Sequence, residues 1–412
     1  MTILTIILQV ALGVFARNPE LSAGNLCGYF PQDTVVSAAP KGYKPFYISH
    51  IARHGSRFLS NGEPFQVVDT LTRMAAEGML TGEGLELLED LKMLHGMSEG
   101  HYGALTLLGA QEHRDICSRM FRHYPEVFSD KSRRKVQAYS TESERVKESM
   151  AAFTGELSAR APGLEIGTKV VKWSGDDDNQ EVTGFHLSGS KKDEAKAAEK
   201  DFSKVTGELR RGYDYKVFAS RIFRNPSLVP SRTVKYVAKS AFKSLRTGRV
   251  TYPETMPGMG KYFTPEELYS LWLSGSLSWA KYLTLPGYSS AISKARGMGI
   301  FQRMIEDADR AMASGSPVAA TFRFSHDSYM LPLMAAIPLE GTVLDCSDRE
   351  IPEHFQDYNF VCPACNVQLV FYRSRRGPIL VKFLLNEKET LVHGLEPLSG
   401  CFYEWEKVKQ YK

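Results

Sequence analysis

After its first sixteen residues the sequence has no long apolar run, and it shows no lopsided charge, no internal repeat and no low-complexity tract. Each absence removes a class of protein. No later stretch reads as a transmembrane helix, which needs roughly 20 apolar residues. Lys and Arg total 51 against 47 Asp and Glu, a net +4. That excess is too mild to suggest nucleic acid, although gathered in one cleft it would suit an anionic substrate. Cysteine is scarce: the six are Cys27, Cys117, Cys346, Cys362, Cys365 and Cys401. An even number permits disulfides in an exported chain without fixing the pairing. Cys362-Pro363-Ala364-Cys365 has the spacing of a redox motif, but it precedes a strand and has no second CxxC to complete a zinc site, so a structural role is expected. "MPGMGKYF" lacks the earlier glycine and the following Ser or Thr of a nucleotide-binding P-loop. His95, Glu99 and His101 fit no strong metal spacing, and no metal or cofactor is expected.

A chain of 412 residues, 43% hydrophobic and 24% charged, can bury a large core as one domain with an insertion. It opens on "MTILTIILQVALGVFA", which carries no charge until Arg17. This run is too short to span a bilayer, and Val14-Phe15-Ala16 offers small residues for cleavage. The reading is a signal peptide over 1–16 whose n-region lacks the usual basic residue. A secreted or periplasmic protein, with no membrane association after signal removal, is the expectation.

Three segments then share one grammar of β-rich run, polar cluster and helix: "FYISHIARHGSR", "KVQAYSTESERVKESMAAF" and "AATFRFSHDSYMLPLMAAI". Strands alternating with helices predict an α/β fold with a mostly parallel central sheet flanked by helices. Ligands in such sheets bind beyond the carboxyl ends of the strands. "NVQLVFYRSRRGPILVKFLL" reads as a hairpin turning over Arg373–Gly377, adding antiparallel strands. Between 166 and 309 the pattern turns helical. This stretch reads as an inserted, mostly helical cap, with helices from 65–100 packing on the same side. The α/β domain is then 17–165 together with 310–412. Inside the cap, Lys191–Arg211 carries seven basic and five acidic residues and reads as an exposed, salt-bridged helix, with a minority reading that sets some of its lysines over the pocket. Ser174–Gln180 reads as a solvated turn.

The turn after each β-run delivers groups suited to phosphate. The first supplies Arg53, His54 and Arg57, the second Arg145, and the third His326 and Asp327. Arginine stays charged and binds phosphate oxygens bidentately, so several arginines about one point suggest a phosphoryl group. Gly55 reads as a residue that lets the backbone approach the phosphate, and His50 reads as structural.

With these residues in order, the sequence resembles the histidine phosphatase superfamily. The branch is the one containing histidine acid phosphatases, phytases and multiple inositol polyphosphate phosphatases. The resemblance rests on RHGxR at Arg53–Arg57, on His326-Asp327, on "LTLLGAQEHRDICSRMFRHYP" and on "STESERVKESMAAF", which places Arg145. It runs from about 45 to 160 and from 265 to the end, so the cap is matched least. The resemblance implies that His54 attacks phosphorus and forms a phosphohistidine. Arg53, Arg57, Arg145 and His326 would bind the phosphate, and Asp327 would protonate the leaving alkoxide and then activate water. The guanidinium groups supply the positive charge without a metal.

The inositol polyphosphate branch often carries His-Ala-Glu at the third turn. His326-Asp327-Ser328 is nearer the acid-phosphatase and phytase pattern, which makes Asp327 the expected acid. The implied function is phosphomonoester hydrolysis of a small, polyanionic ester, inositol polyphosphates such as phytate being preferred, with an acidic to near-neutral optimum. The alternatives are a broad-specificity acid or sugar phosphatase, or a non-catalytic phosphate-ester binding protein, which would not need both a nucleophile and an acid.

Overall fold

In the computed structural model, which describes residues 13–30, 36–171, 189–209, 213–283 and 288–410, the three β-rich runs lie side by side. They are β1 (Lys44–Arg53), β2 (Lys135–Ser140) and, after a fourth strand β3 (Glu165–Val170), β4 (Val318–Ser325). The order β3-β2-β4-β1 is parallel throughout. β5 (Asn366–Arg373) then pairs antiparallel with β1 and β6 (Leu380–Leu385) with β5, which is the hairpin expected from the sequence. The short strands β7 (Lys388–Thr390) and β8 (Phe402–Glu404) both pair with β6. β1 is buried from Phe46 to Arg53 because it has a strand on each edge and helices over the sheet, so its run is apolar rather than alternating.

The longer helices are α1 (Val67–Ala76), α2 (Gly82–Ser98), α3 (Leu107–His123), α4 (Glu144–Arg160), α5 (Gly189–Leu209), α6 (Lys216–Ile222), α7 (Ser231–Leu245), α8 (Pro265–Ala280), α9 (Tyr288–Met312) and α10 (Asp327–Ala336). Several starts are explained by capping. Thr106 accepts from Gly109 N–H to open α3, and Thr264 and Glu267 form a reciprocal capping box that opens α8. α4 lies against β2 and β4 and carries Phe153 onto the sheet. There His50 sits among Phe153, Phe322 and Phe324 at centroid distances of 5.3, 5.9 and 6.0 Å. With no polar partner for either ring nitrogen among the described residues, His50 is a core residue, as read.

The expected cap boundaries shift at both ends. β3 extends the sheet to Val170, past the boundary set at 165/166. It is an edge strand, exposed along nearly its whole length, so it carries no hydrophobic alternation to announce it. At the other end 309/310 falls inside α9, which packs on α10 and β1 and therefore belongs with the sheet. Of the helices from 65–100, α1 and α2 both pack on α7, and α2 also packs on α6. α5 is held by the ion pairs Lys281–Glu199 and Arg349–Glu208, and Lys196, Lys200 and Lys204 on it are exposed, in line with the salt-bridged reading. The turn at 174–180 lies outside the described residues.

The N-terminal segment is built into the fold. Phe15 is buried against Tyr269, Trp272 and Tyr358. The 3-10 helix Pro19–Leu26 follows, broken at Gly24, whose φ of +60° and ψ of −126° turn the chain toward the ends of β1 and β4.

Candidate active site

β1, β4 and β2 end level with one another, Arg53 opposite Ser325 and Ser140 opposite Phe324, so their three following turns share one rim. All six residues expected at the site stand there. Arg53 is the last residue of β1, with His54 to Arg57 in the turn beyond it. Thr141 follows β2 and Arg145 lies in the first turn of α4; His326 and Asp327 follow β4 and open α10.

His54 is buried, at 2% exposure. Its Nδ1 lies 2.8 Å from the Gly55 carbonyl oxygen. A carbonyl only accepts, so Nδ1 carries the proton and Nε2 keeps its lone pair. Burial first, and then the neighbouring charge of Arg53, hold the imidazole well below its ordinary pKa, which keeps Nε2 unprotonated in acid. The main chain around it is tied on both sides. His54 N–H donates to Ser325 O at 2.9 Å, Ala364 N–H donates to His54 O at 2.9 Å, and Arg53 N–H donates to Cys365 O at 2.9 Å. The Cys362–Cys365 turn is thus a brace for the His54 loop, and all six cysteines are free thiols.

The cations crowd one another. Arg57 is pushed down to about 10 by burial and then by Arg53 and Arg145, and Arg145 is lowered by burial and by Arg53. Such mutual repulsion is what a doubly charged phosphate would relieve. Arg53 is fully buried. Its Nη1 donates to the carbonyls of Asn25 and Val361, and its Nη2 lies 3.0 Å from Asp327 Oδ2. With both Nη1 hydrogens engaged, the Nε–Nη2 edge is what Arg53 can offer an anion. The Nε groups of Arg53, Arg57 and Arg145 have no acceptor among the described residues. Arg145 Nη2 lies 3.4 Å from His326 Nδ1, and Thr141 Oγ1 lies 3.2 Å from His326 Nε2. Arginine only donates, so His326 carries its proton on Nε2, facing Thr141. Burial and Arg145 push His326 down to about 4. Asp327 also accepts from Ser328 N–H at 2.8 Å, at the N-terminus of α10.

Gly55 serves another purpose than the one expected. A Cβ there would lie 2.2 Å from Gly109 O, and a Cβ on Gly109 would lie 2.2 Å from Ser56 O. The two glycines let the RHGSR turn sit directly on the first turn of α3, so it is a helix, not a phosphate, that demands the missing side chain. Glu112 of α3 completes the contact, accepting from Ser56 N–H and Oγ–H, each at 2.7 Å, and from Tyr29 N–H at 2.8 Å.

His54, the three arginines and the Asp327 carboxylate thus share one rim. A model of the histidine phosphatase superfamily (branch 2) matches residues 48–386. The chain belongs to that superfamily. Membership supports a phosphatase, and solved structures match the whole fold of this histidine phosphatase. The Bifidobacterium longum multiple inositol polyphosphate phosphatase in complex with inositol hexasulfate aligns with a TM-score of 0.72 at 17% identity, covering 94% of this chain and 96% of that one. The phytase from D. castellii aligns at 0.63 and 12% identity, covering 95% and 84%. The Hafnia alvei phytase aligns at 0.52 and 11%, covering 91% and 97%. At these identities the likeness is one of fold. A comparison with curated proteins returns no match.

Several site residues of this histidine phosphatase had no signal in the sequence. Asn25, Arg246 and Asp357 lie in unrelated stretches, and nothing in their local pattern tells them from ordinary loop and helix residues, whereas Thr141 and Ser149, whose Oγ accepts from Gly55 N–H at 3.2 Å, fall inside the Arg145 segment. Glu112 could have been found, since it falls inside the α3 segment on which the family resemblance rests.

Proposed function

We propose that this histidine phosphatase is a phosphomonoesterase of inositol polyphosphates, working through a phosphohistidine on His54 with Asp327 as proton donor. The observation that carries the reading is the tautomer of His54: Nδ1–H is held by Gly55 O, and Nε2 is a free lone pair among three arginines. That lone pair attacks phosphorus while Arg57 and Arg145 hold non-bridging oxygens and Arg53 presents its remaining edge. The ester P–O bond breaks, and its oxygen takes the proton of the Asp327 carboxylic acid. Water then attacks phosphorus and gives its proton to the Asp327 carboxylate; the P–N bond breaks and its electron pair returns to Nε2. His326 can turn its Nε2–H from Thr141 to the phosphate.

A polyanionic substrate is supported by the inositol hexasulfate bound by the Bifidobacterium longum fold neighbour and by a second basic region. Lys235, Lys239 and Lys243 recur every fourth residue along α7, none with an ion pair among the described residues, and line a cavity of about 500 Å³ together with Arg246. Arg246 Nη2 lies 3.1 Å from Asn25 Oδ1, whose amide faces Asp327, so this cavity borders the catalytic rim. These α7 lysines, rather than those of α5, are the ones we assign to further phosphates.

The test is phosphate release from phytate and from p-nitrophenyl phosphate, in EDTA, by wild type, His54→Ala and Lys239→Ala/Lys243→Ala. We expect no turnover from His54→Ala, and a phytate-specific rise in KM of about tenfold from the lysine pair. Efficient cleavage of the small ester with little on phytate would replace the substrate assignment by a broad acid phosphatase. Silence of folded wild type on both esters would favour a binding protein. We further propose export, from the apolar run at 1–16. Cleavage after Ala16 would remove the buried Phe15, so N-terminal sequencing of exported protein tests the cleavage point directly.

A further inference from the structure

We infer that Asn25 is a positioning residue for the reaction, setting the phosphate clamp and the proton donor in register from a segment remote in sequence. The inference rests on the roles proposed for Arg53 and Asp327. All four polar groups of Asn25 are directed at named partners. Its N–H donates to Asp357 Oδ2 at 3.0 Å, and its carbonyl accepts from Arg53 Nη1 at 2.6 Å. Its side-chain Oδ1 accepts from Arg246 Nη2 at 3.1 Å, and Nδ2 faces Asp327 Oδ2 at 3.5 Å. One residue therefore touches both members of the Arg53–Asp327 ion pair.

The placement is built, not incidental. Gly24 takes a backbone conformation that suits glycine, and a Cβ on it would lie 2.3 Å from Asp357 Oδ2. Asp357 is itself buried and oriented by Trp272 Nε1–H, which donates to its Oδ1 at 2.7 Å. Arg246 also fixes the chain two residues before Asn25, its Nη2 donating to Ala23 O at 2.7 Å. Asn25 is 7% exposed, so these bonds form away from bulk water, where they orient strongly. A general acid must lie within hydrogen-bond reach of the leaving oxygen, and small displacements are costly. Without the Asn25 amide, one oxygen of Asp327 keeps only Arg53 to orient it.

The test compares kcat on glycerol 2-phosphate, whose alkoxide needs the acid, with kcat on p-nitrophenyl phosphate, whose phenolate barely does. Asn25→Asp keeps the shape and the acceptor toward Arg246 but replaces the donor toward Asp327 by a second carboxyl, which repels the Asp327 carboxylate; Asn25→Ala removes both groups. The expected result for each is a fall of about tenfold on the alkyl ester and under about threefold on the aryl ester, part of the 10² to 10⁴ that a general acid supplies. Equal losses on both esters, or wild-type kinetics in Asn25→Asp, would overturn the inference. Thermal midpoints guard against misfolding, and if Asn25→Ala is unstable the shape-preserving variant decides alone. Asp327→Asn is run beside them. If it shows no difference between the esters, the acid assignment itself fails; if it does and the Asn25 variants do not, only the positioning role falls.

Discussion

Replacing Gly55 by alanine puts a methyl group where the structure has the main chain of another element. The new Cβ would lie 2.2 Å from Gly109 O and 2.6 Å from Gly109 Cα, whereas real Cβ contacts stay above 3.0 Å. The turn and α3 must therefore part by about 1 Å, against backbone that cannot swing aside as a side chain would. Overpacking of this kind costs about 1–3 kcal/mol. The separation also stretches the two 2.7 Å bonds from Ser56 to the buried Glu112 carboxylate, each worth about 1.5–3 kcal/mol. A net loss of about 2.5–6 kcal/mol follows if one of those bonds survives. Because His54 rides on the same turn, a displacement of about 1 Å should lower kcat about a hundredfold. The assay is thermal unfolding together with kcat and KM on p-nitrophenyl phosphate, with Gly109→Ala as the reciprocal variant. If Gly55 were glycine for the sake of phosphate, Gly55→Ala would raise KM and leave the unfolding midpoint and Gly109→Ala near wild type; that pattern would refute the reasoning.

Two more predictions follow from the charges. Burial pushes His50 and His113 down to about 3, so the unfolded chain takes up their protons near pH 6.5 and the native state does not. Stability is therefore full above pH 6.5 and falls as pH drops toward 3, by up to about 1.4 kcal/mol per pH unit for each histidine. His54 and His326 add to the same slope, so His50→Leu should remove one histidine's share, up to about 1.4 kcal/mol per pH unit, in denaturant melts between pH 6.5 and 4, and an unchanged slope would count against it. Arg57→Ala should relieve the crowding of cations, leaving the unfolding midpoint without phosphate equal to or above wild type. At a phosphate concentration of 100 Kd the wild type gains about 2.7 kcal/mol, and the variant should lose most of that shift. A lower midpoint combined with an intact phosphate shift would show that Arg57 is structural.

Much of the site was legible because its residues follow strands. Arg53 ends a β-rich run, and His54, Arg145, His326 and Asp327 follow such runs within five residues; parallel strands gather these turns on one rim whatever the loops between them do. Gly55 shows the limit of that reading. Its neighbourhood in sequence points to the phosphate, while its neighbour in space, Gly109, lies 54 positions away and explains it better. β3 was missed because an exposed edge strand has no buried face to leave a pattern. The end of the cap was misjudged because α9 is one continuous helix, and an amphipathic pattern does not say which body it packs on.

What the sequence by itself determined was the succession of strand, polar turn and helix, and the residue types at those turns, because hydrophobic periodicity and side-chain chemistry are local properties. The tertiary structure alone decided the tautomer of His54, which needs a particular carbonyl 2.8 Å away, and the edge of Arg53 left for an anion, which depends on where the carbonyls of Asn25 and Val361 fall. It also decided that the N-terminal segment belongs to the site. Asn25 and Asp327 are 302 positions apart, and only closing the core over Gly24 brings them together.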